Sequence, residues 1–297
     1  DRTSYRDLDR IIGYEVQHQP ARLRLPAAKG LLLRGALRHQ AHSHWVHTGV
    51  LRSILGSWIW AALLRREALA IPHNLFQFLE RFEDCWARWW PVARRETLAL
   101  ADAVQCLYAD VGAPLAPVLF ATDARGPASG DHGAYGIVAS DADEALLEKC
   151  FMLGNRPGRS IGKLDSVFAG SRYPRRSIER NVPFTRLPAA VFADDRDWVP
   201  LEAGKWRWTD HITLGEARAV VRLLQCIAKC PRSHRHKLLS LQDNLPCTCS
   251  FTKGRSPKWT LNYLIRKRAS ISIGAEIGLL LPWVQSALQA ADGLSRS

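Results

Sequence analysis

The stretch PVLFATDARG, residues 117–126, decides the fold. Val118, Leu119 and Phe120 have the composition of a buried strand, and the run closes on a carboxylate, Asp123, before small and turn-forming residues. A carboxylate at the tip of a buried strand is costly unless something compensates it. GAYGIVAS (133–140) follows after a Gly-rich turn and reads as the second arm of a hairpin. KLLSLQD (237–243) repeats the pattern, ending on Asp243. If the two carboxylate-tipped strands are parallel neighbours, Asp123 and Asp243 share one edge of one sheet.

Further strand and helix signals surround this pair. HITLGEARAVVRLLQCIAK (211–229) reads as a strand end running into an amphipathic helix, with Ala217, Val220, Val221 and Leu224 on its apolar face. SPKWTLNYLIRKRAS (256–270) opens with Ser256 as an N-cap and Pro257 at the first helical position. IGLLLPWV (277–284) is a last strand. Upstream, residues 1–50 are Arg- and His-rich with poor periodicity, predicting short helices. The pattern is helical from Ser53 to about Tyr108, and in HNLFQFLERFEDCWARWW (73–90) the apolar steps carry one helix as far as Pro91. The division falls near 112/113: a helical segment over 1–112, then an α/β domain over 113–297 with an irregular basic insertion at about 141–205.

The chain has 297 residues, 47% of them apolar, which suffices for a real core. Its longest apolar windows, Leu55–Leu64 and Ile277–Val284, are too short for a bilayer span, so no membrane is expected. Seven irregularly spaced cysteines favour a reducing compartment, cytoplasm or nucleus, over a disulfide framework. With 41 Lys and Arg against 28 Asp and Glu, the net charge is +13. Such a field attracts polyanions, nucleic acid first.

Four carboxylates carry the chemistry. Taken alone, Glu216 in TLGE fits a capping box with Thr213, Asp243 fits a turn or cap, and Asp292 in QAADGLSR is an ordinary surface residue. Taken together, two strand-end carboxylates and a third on an adjacent helix repel one another unless cations neutralise them. Oxygen-only donors favour hard cations, Mg²⁺ or Mn²⁺. Three or four such donors suit two ions, one activating water and the other stabilising the leaving oxygen of a phosphodiester.

The ordered series ATDARG, HITLGEARAVV, LQDN…KGRSPKWTLN and WVQSALQAADGLSR resembles the ribonuclease H domain of retrotransposon reverse transcriptases, particularly DIRS-type elements. The resemblance covers about residues 116–297. More loosely, residues 45–112 resemble the helical segment joining polymerase thumb to nuclease in such polyproteins. It implies a five-stranded mixed sheet flanked by helices. It also implies an Asp-Glu-Asp-Asp set on Asp123, Glu216, Asp243 and Asp292 holding two Mg²⁺, and hydrolysis of the RNA strand of RNA–DNA hybrids. Asn244, Lys253, Arg255, Ser286 and Arg296 become candidate nucleic-acid contacts, and an upstream polymerase becomes a partner within the same polyprotein. The chain departs from the family pattern at Gly215, Gln285, Gln289 and Ala290, and has no His after His236. From a different class comes the alternative of a decayed copy that grips nucleic acid without cutting it.

Other signals weigh less. FADDRD (192–197) resembles a polymerase palm signature, but its flanks are charged and Pro-rich. His39, His42, His44 and His47 have partial zinc spacing without a nearby Cys, which favours a basic, nucleic-acid-facing helix. Cys226, Cys230, Cys247 and Cys249 read as small buried residues, and Trp86, Trp89 and Trp90 as core.

Overall fold

A computed structural model describes residues 9–154, 187–192 and 196–296. FADDRD and most of the 141–205 insertion fall partly or wholly outside these. The chain divides into two compact units. One comprises the residues up to Pro114 with Leu224–Arg235 and Ser250–Ile277. The other comprises Leu115–Leu223, His236–Cys249 and the residues from Gly278 on. Each is discontinuous in sequence, so Ser250–Ile277, expected in the α/β domain, groups with the N-terminal residues.

The N-terminal residues fold as β1 (Arg10–Ile11), β2 (Tyr14–His18), β3 (Ala21–Arg24), α1 (Ala27–His42), β4 (Trp45–His47), α2 (Thr48–Ala62), α3 (His73–Arg81), β5 (Trp86–Arg88), α4 (Pro91–Ala103) and β6 (Tyr108–Asp110). Two expectations fail here. Residues 9–50 contain four strands and a 16-residue helix instead of short helices. The helix over 73–90 stops at Arg81. Asp84 lies in the left-handed region at φ 41°, and Cys85 is claimed by Thr48: its N–H donates to Thr48 Oγ1 (3.0 Å) and its carbonyl accepts from Thr48 N–H (3.0 Å). Pairing of β5 with β4 overrides the helical period. Leu37, Leu51, Leu55, Trp58, Leu75 and Phe78 centre this unit's core.

The remaining elements are β7 (Leu115–Arg125), β8 (Ala134–Asp141), α5 (Glu144–Gly154), β9 (Val199–Lys205), α6 (Ile212–Ala228), β10 (Lys237–Leu241), α7 (Leu245–Lys253), α8 (Trp259–Gly274), β11 (Gly278–Leu280) and α9 (Asp292–Arg296). Among the described residues the second unit holds a five-stranded mixed sheet in the order β11-β10-β7-β8-β9. β8 runs antiparallel to both β7 and β9, while β10 is parallel to both β7 and β11. This is the α/β sheet flanked by helices that the ribonuclease H resemblance implies. The 141–205 segment is not wholly an insertion, because its end supplies β9. Ser256 does not cap α8, which begins at Trp259. Instead Ser256 Oγ accepts from the Lys258 N–H (3.2 Å), one turn earlier.

Side chains alternate along β7. Leu119 and Ala121 join the core cluster with Leu146 and Leu147 of α5 and Ala291 beside α9. Thr122 and Ala124 face the opposite side, where Gly215 of α6 approaches Ala124. All seven cysteines are free thiols. Among the described residues no helix is long and apolar enough to cross a membrane.

Candidate metal centre

Asp123 lies inside β7, two residues short of its end, because pairing with β8 continues through Arg125↔Ala134. β7 and β10 are parallel, with Leu241 level with Ala121. Two residues further on, Asp243 comes level with Asp123, held there by an indole: Trp283 Nε1 donates to the Asp243 carbonyl (2.7 Å). Glu216 arrives from the first turns of α6. Asp123, Glu216 and Asp243 each offer a carboxylate oxygen within 4.8 Å of the others. Among the described residues no other set of three His, Cys, Asp or Glu side chains converges in this way, so His39, His42, His44 and His47 form no such group.

The capping-box role of Glu216 is not what the structure contains. α6 begins at Ile212, so Thr213 is inside the helix, and the Thr213 N–H is met by His211 Nδ1 (3.3 Å). The Glu216 carboxylate is buried and accepts instead from Gln242 Nε2 (2.7 Å) and from the Ala124 backbone. Gln242 is oriented in turn by Thr122, whose hydroxyl donates to Gln242 Oε1 (2.9 Å). With its Oε1 taken by the Thr122 hydroxyl, Gln242 presents its amino end to Glu216. Gln289 Nε2 closes the chain on the Thr122 carbonyl (3.0 Å).

Asp123 is secured from the other face. Ser295 Oγ donates to Asp123 Oδ2. That approach depends on Gly136, directly opposite Asp123 in the hairpin: a Cβ there would lie 2.8 Å from Ser295 N and 3.0 Å from the Ala291 carbonyl oxygen. Thr122, Gln242 and Gly136 were not singled out in the sequence, whereas Ser295 belongs to the closing stretch QAADGLSR that carries the resemblance. The legible signal was polarity out of place, in Thr122 within VLFATDA and Gln242 within LLSLQD.

Electrostatics follow from the crowding. Burial, then Asp123 and Asp243, push the Glu216 carboxyl up to about 9. Burial pushes Asp123 up to about 6, with the Ser295 hydroxyl and Arg296 opposing and Asp243 and Asp292 assisting. Among the described residues no Lys or Arg forms an ion pair with Asp123, Glu216 or Asp243. Donors that are all oxygen, with Asp123 and Glu216 buried and Asp243 half-buried, and short of positive charge suit a hard divalent cation.

Asp292 stands apart from the converging three. It lines the same cavity of about 370 Å³, but its Oδ1 accepts from Arg296 Nε (2.9 Å) and from a terminal Arg296 nitrogen (2.8 Å). Arg296 is therefore engaged by Asp292 across one helical turn. Asn244 and Ser286 also line the cavity, and Asn244 Oδ1 caps α7 by accepting from the Cys247 N–H (3.0 Å). Lys253 and Arg255 do not line it. They group with the first unit, where Arg255 lies over the Phe76 ring (5.5 Å) and Lys253 is pushed down by burial and then by Arg255 and Arg66.

No protein-family model and no curated protein matches the sequence. Among solved structures, the chain is similar to the foamy viral protease-reverse transcriptase in complex with RNA/DNA hybrid, at 10% identity and a TM-score of 0.25. The match covers 96% of this chain and 51% of that one, so the chain spans about half that protein's length.

Proposed function

We propose that this chain is a divalent-metal-dependent nuclease of the ribonuclease H type, hydrolysing the RNA strand of RNA–DNA hybrids as part of a reverse transcriptase polyprotein. The observation that carries this reading is the convergence of Asp123, Glu216 and Asp243 at one edge of a five-stranded mixed sheet. These three, with Asp292 on the cavity wall, would hold two Mg²⁺, or Mn²⁺ in their place. When bound, the ions supply charge neutralisation at the phosphodiester and an activated water.

The chain's own residues do the rest. Gln242 and Thr122 fix the Glu216 carboxylate, and Ser295 fixes that of Asp123, so the donors are set before a cation arrives. At neutral pH the raised carboxyl of Glu216 holds a proton that a cation must displace. Arg296, paired with Asp292 in the cavity lining, would meet a backbone phosphate, and Asn244 and Ser286 would offer neutral polar contacts. Under this reading the segment up to about residue 112 is the connection from a polymerase thumb.

Cleavage of a labelled hybrid tests the reading. The parent should cut the RNA strand with Mg²⁺, leaving 3′-hydroxyl and 5′-phosphate ends. Asp123→Asn should abolish cutting while sparing hybrid binding, because it removes a metal-neutralising charge and keeps the shape. Hybrid affinity should fall steeply with salt. An uncut hybrid with either Mg²⁺ or Mn²⁺ would favour the binding-only alternative.

A further inference from the structure

The β4–β5 ribbon carries a surface that the carboxylate site does not use. Strand alternation sends Val46 and Ala87 inward, where both are buried in the first unit's core. Outward go Trp45 and His47 from one strand, and Trp86 and Arg88 from the other. Trp45 stands opposite Arg88 and His47 opposite Trp86, whose ring the imidazole meets edge-on at 5.4 Å. Trp45 is 57% exposed and Trp86 68%. Indoles are usually well buried on average, so two exposed on the outer side of one short ribbon leave aromatic surface open to a ligand.

Beside the ribbon is a cavity of about 790 Å³ lined by His44, Arg88, Trp89, Pro91, Arg94 and Arg95. Every ionisable residue in that lining is basic. Its walls are fixed: Arg94 Nε donates to the Ala41 carbonyl (2.5 Å) and Trp89 Nε1 to the Gln40 carbonyl (3.2 Å). Arg88 and Arg95 are exposed and form no ion pair among the described residues. Asp84 lies 3.8 Å from His47 and is not among the residues that line the cavity.

We propose that this face binds single-stranded nucleic acid, with Trp45 and Trp86 stacking on bases and Arg88, Arg94 and Arg95 receiving the phosphates. Aromatic rings next to a basic groove are the chemistry that grips an unpaired strand, because every base has a π-face to stack. In a duplex those faces are already occupied, so the indoles select the open strand. Guanidinium forks match phosphate oxygens in pairs. The proposal does not rest on the nuclease reading, and it is tested without metal.

The experiment is fluorescence anisotropy of the full chain with labelled oligo-dT, oligo-U and a blunt DNA duplex, in EDTA across a salt series. Two double variants are compared, Trp45→Ala/Trp86→Ala and Arg88→Gln/Arg95→Gln, each checked for an unchanged thermal melt. The Trp variant should lose tenfold or more in single-strand affinity with little change for duplex. The Arg variant should weaken both ligands and reduce the salt slope by about two. Unchanged single-strand affinity in both variants would overturn the proposal. So would an equal loss for duplex and single strand in the Trp variant.

Discussion

Glu216→Gln in the metal-free protein separates a buried, cation-seeking carboxylate from a structural one. Glu216 is buried, and its carboxyl is pushed up from an ordinary 4.5 to about 9. Below pH 4.5 the group is protonated both folded and unfolded, and its burial is free of charge cost. As pH rises from 4.5 toward 9 the unfolded chain ionises Glu216 and the folded chain does not, so stability is lost steadily and levels off above 9. At about 1.4 kcal/mol per pH unit, the interval from pH 5 to pH 8 removes about 4 kcal/mol at most. Gln cannot ionise, and its amide oxygen still accepts from Gln242 Nε2. The variant should therefore lack this slope. In EDTA it should melt on the order of 10 °C above the parent at pH 8 and nearly with it at pH 5, at about 2–4 °C per kcal/mol for units of this size. Asp123, raised to about 6, contributes the same sign in both proteins over a lower range and largely cancels in the comparison. Mg²⁺ or Mn²⁺ should then raise the parent's melting temperature, more at pH 8 than at pH 5, and leave the variant nearly unmoved. Thermal melts by Trp fluorescence measure all of this. Parallel pH slopes in parent and variant without metal, or equal stabilisation of both by Mn²⁺, would refute the reasoning.

Four further outcomes follow from the same geometry. Cation binding should release protons near neutral pH, chiefly from Glu216, which calorimetry in buffers of differing ionisation enthalpy detects as a buffer-dependent heat. Gln242→Leu or Thr122→Val should weaken Mn²⁺ affinity about 10-fold or more by freeing Glu216 from its orientation, as read by electron paramagnetic resonance titration, with Gln242→Leu the more severe. Gly136→Ala should cost about 1–3 kcal/mol in denaturant melts, because its Cβ would lie 2.8 Å from the backbone nitrogen of Ser295. Ser295→Ala should raise the Asp123 carboxyl further, moving the pH midpoint of metal binding upward in the same titrations, since the hydroxyl now stabilises the charged form.

The strands that make the site were legible in the one-dimensional pattern. VLFATD and LLSLQD each present an apolar run closing on a carboxylate, and GAYGIVAS follows as a hairpin arm, because strand burial imposes its period on neighbouring residues. The proximity of Asp123 and Asp243 followed from assuming parallel strands, and the register of β10 on β7 bears that assumption out. Where long-range partners competed with local preference, the sequence misled. Trp86 and Trp89 continue the helical spacing of α3, yet Thr48, 37 residues upstream of Cys85, draws that segment into a strand. TLGE has the composition of a capping box, yet its Glu is drawn to a Gln on another element. Asp292 and Arg296 stand one helical turn apart, so their pairing needed no fold to foresee, whereas the separation of Asp292 from the other three carboxylates did. Local composition fixes which segments become strands and which residues can bear charge. Only the folded chain decides which carboxylates meet, because that depends on register, on the missing Cβ at Gly136, and on hydrogen bonds between residues more than 100 positions apart.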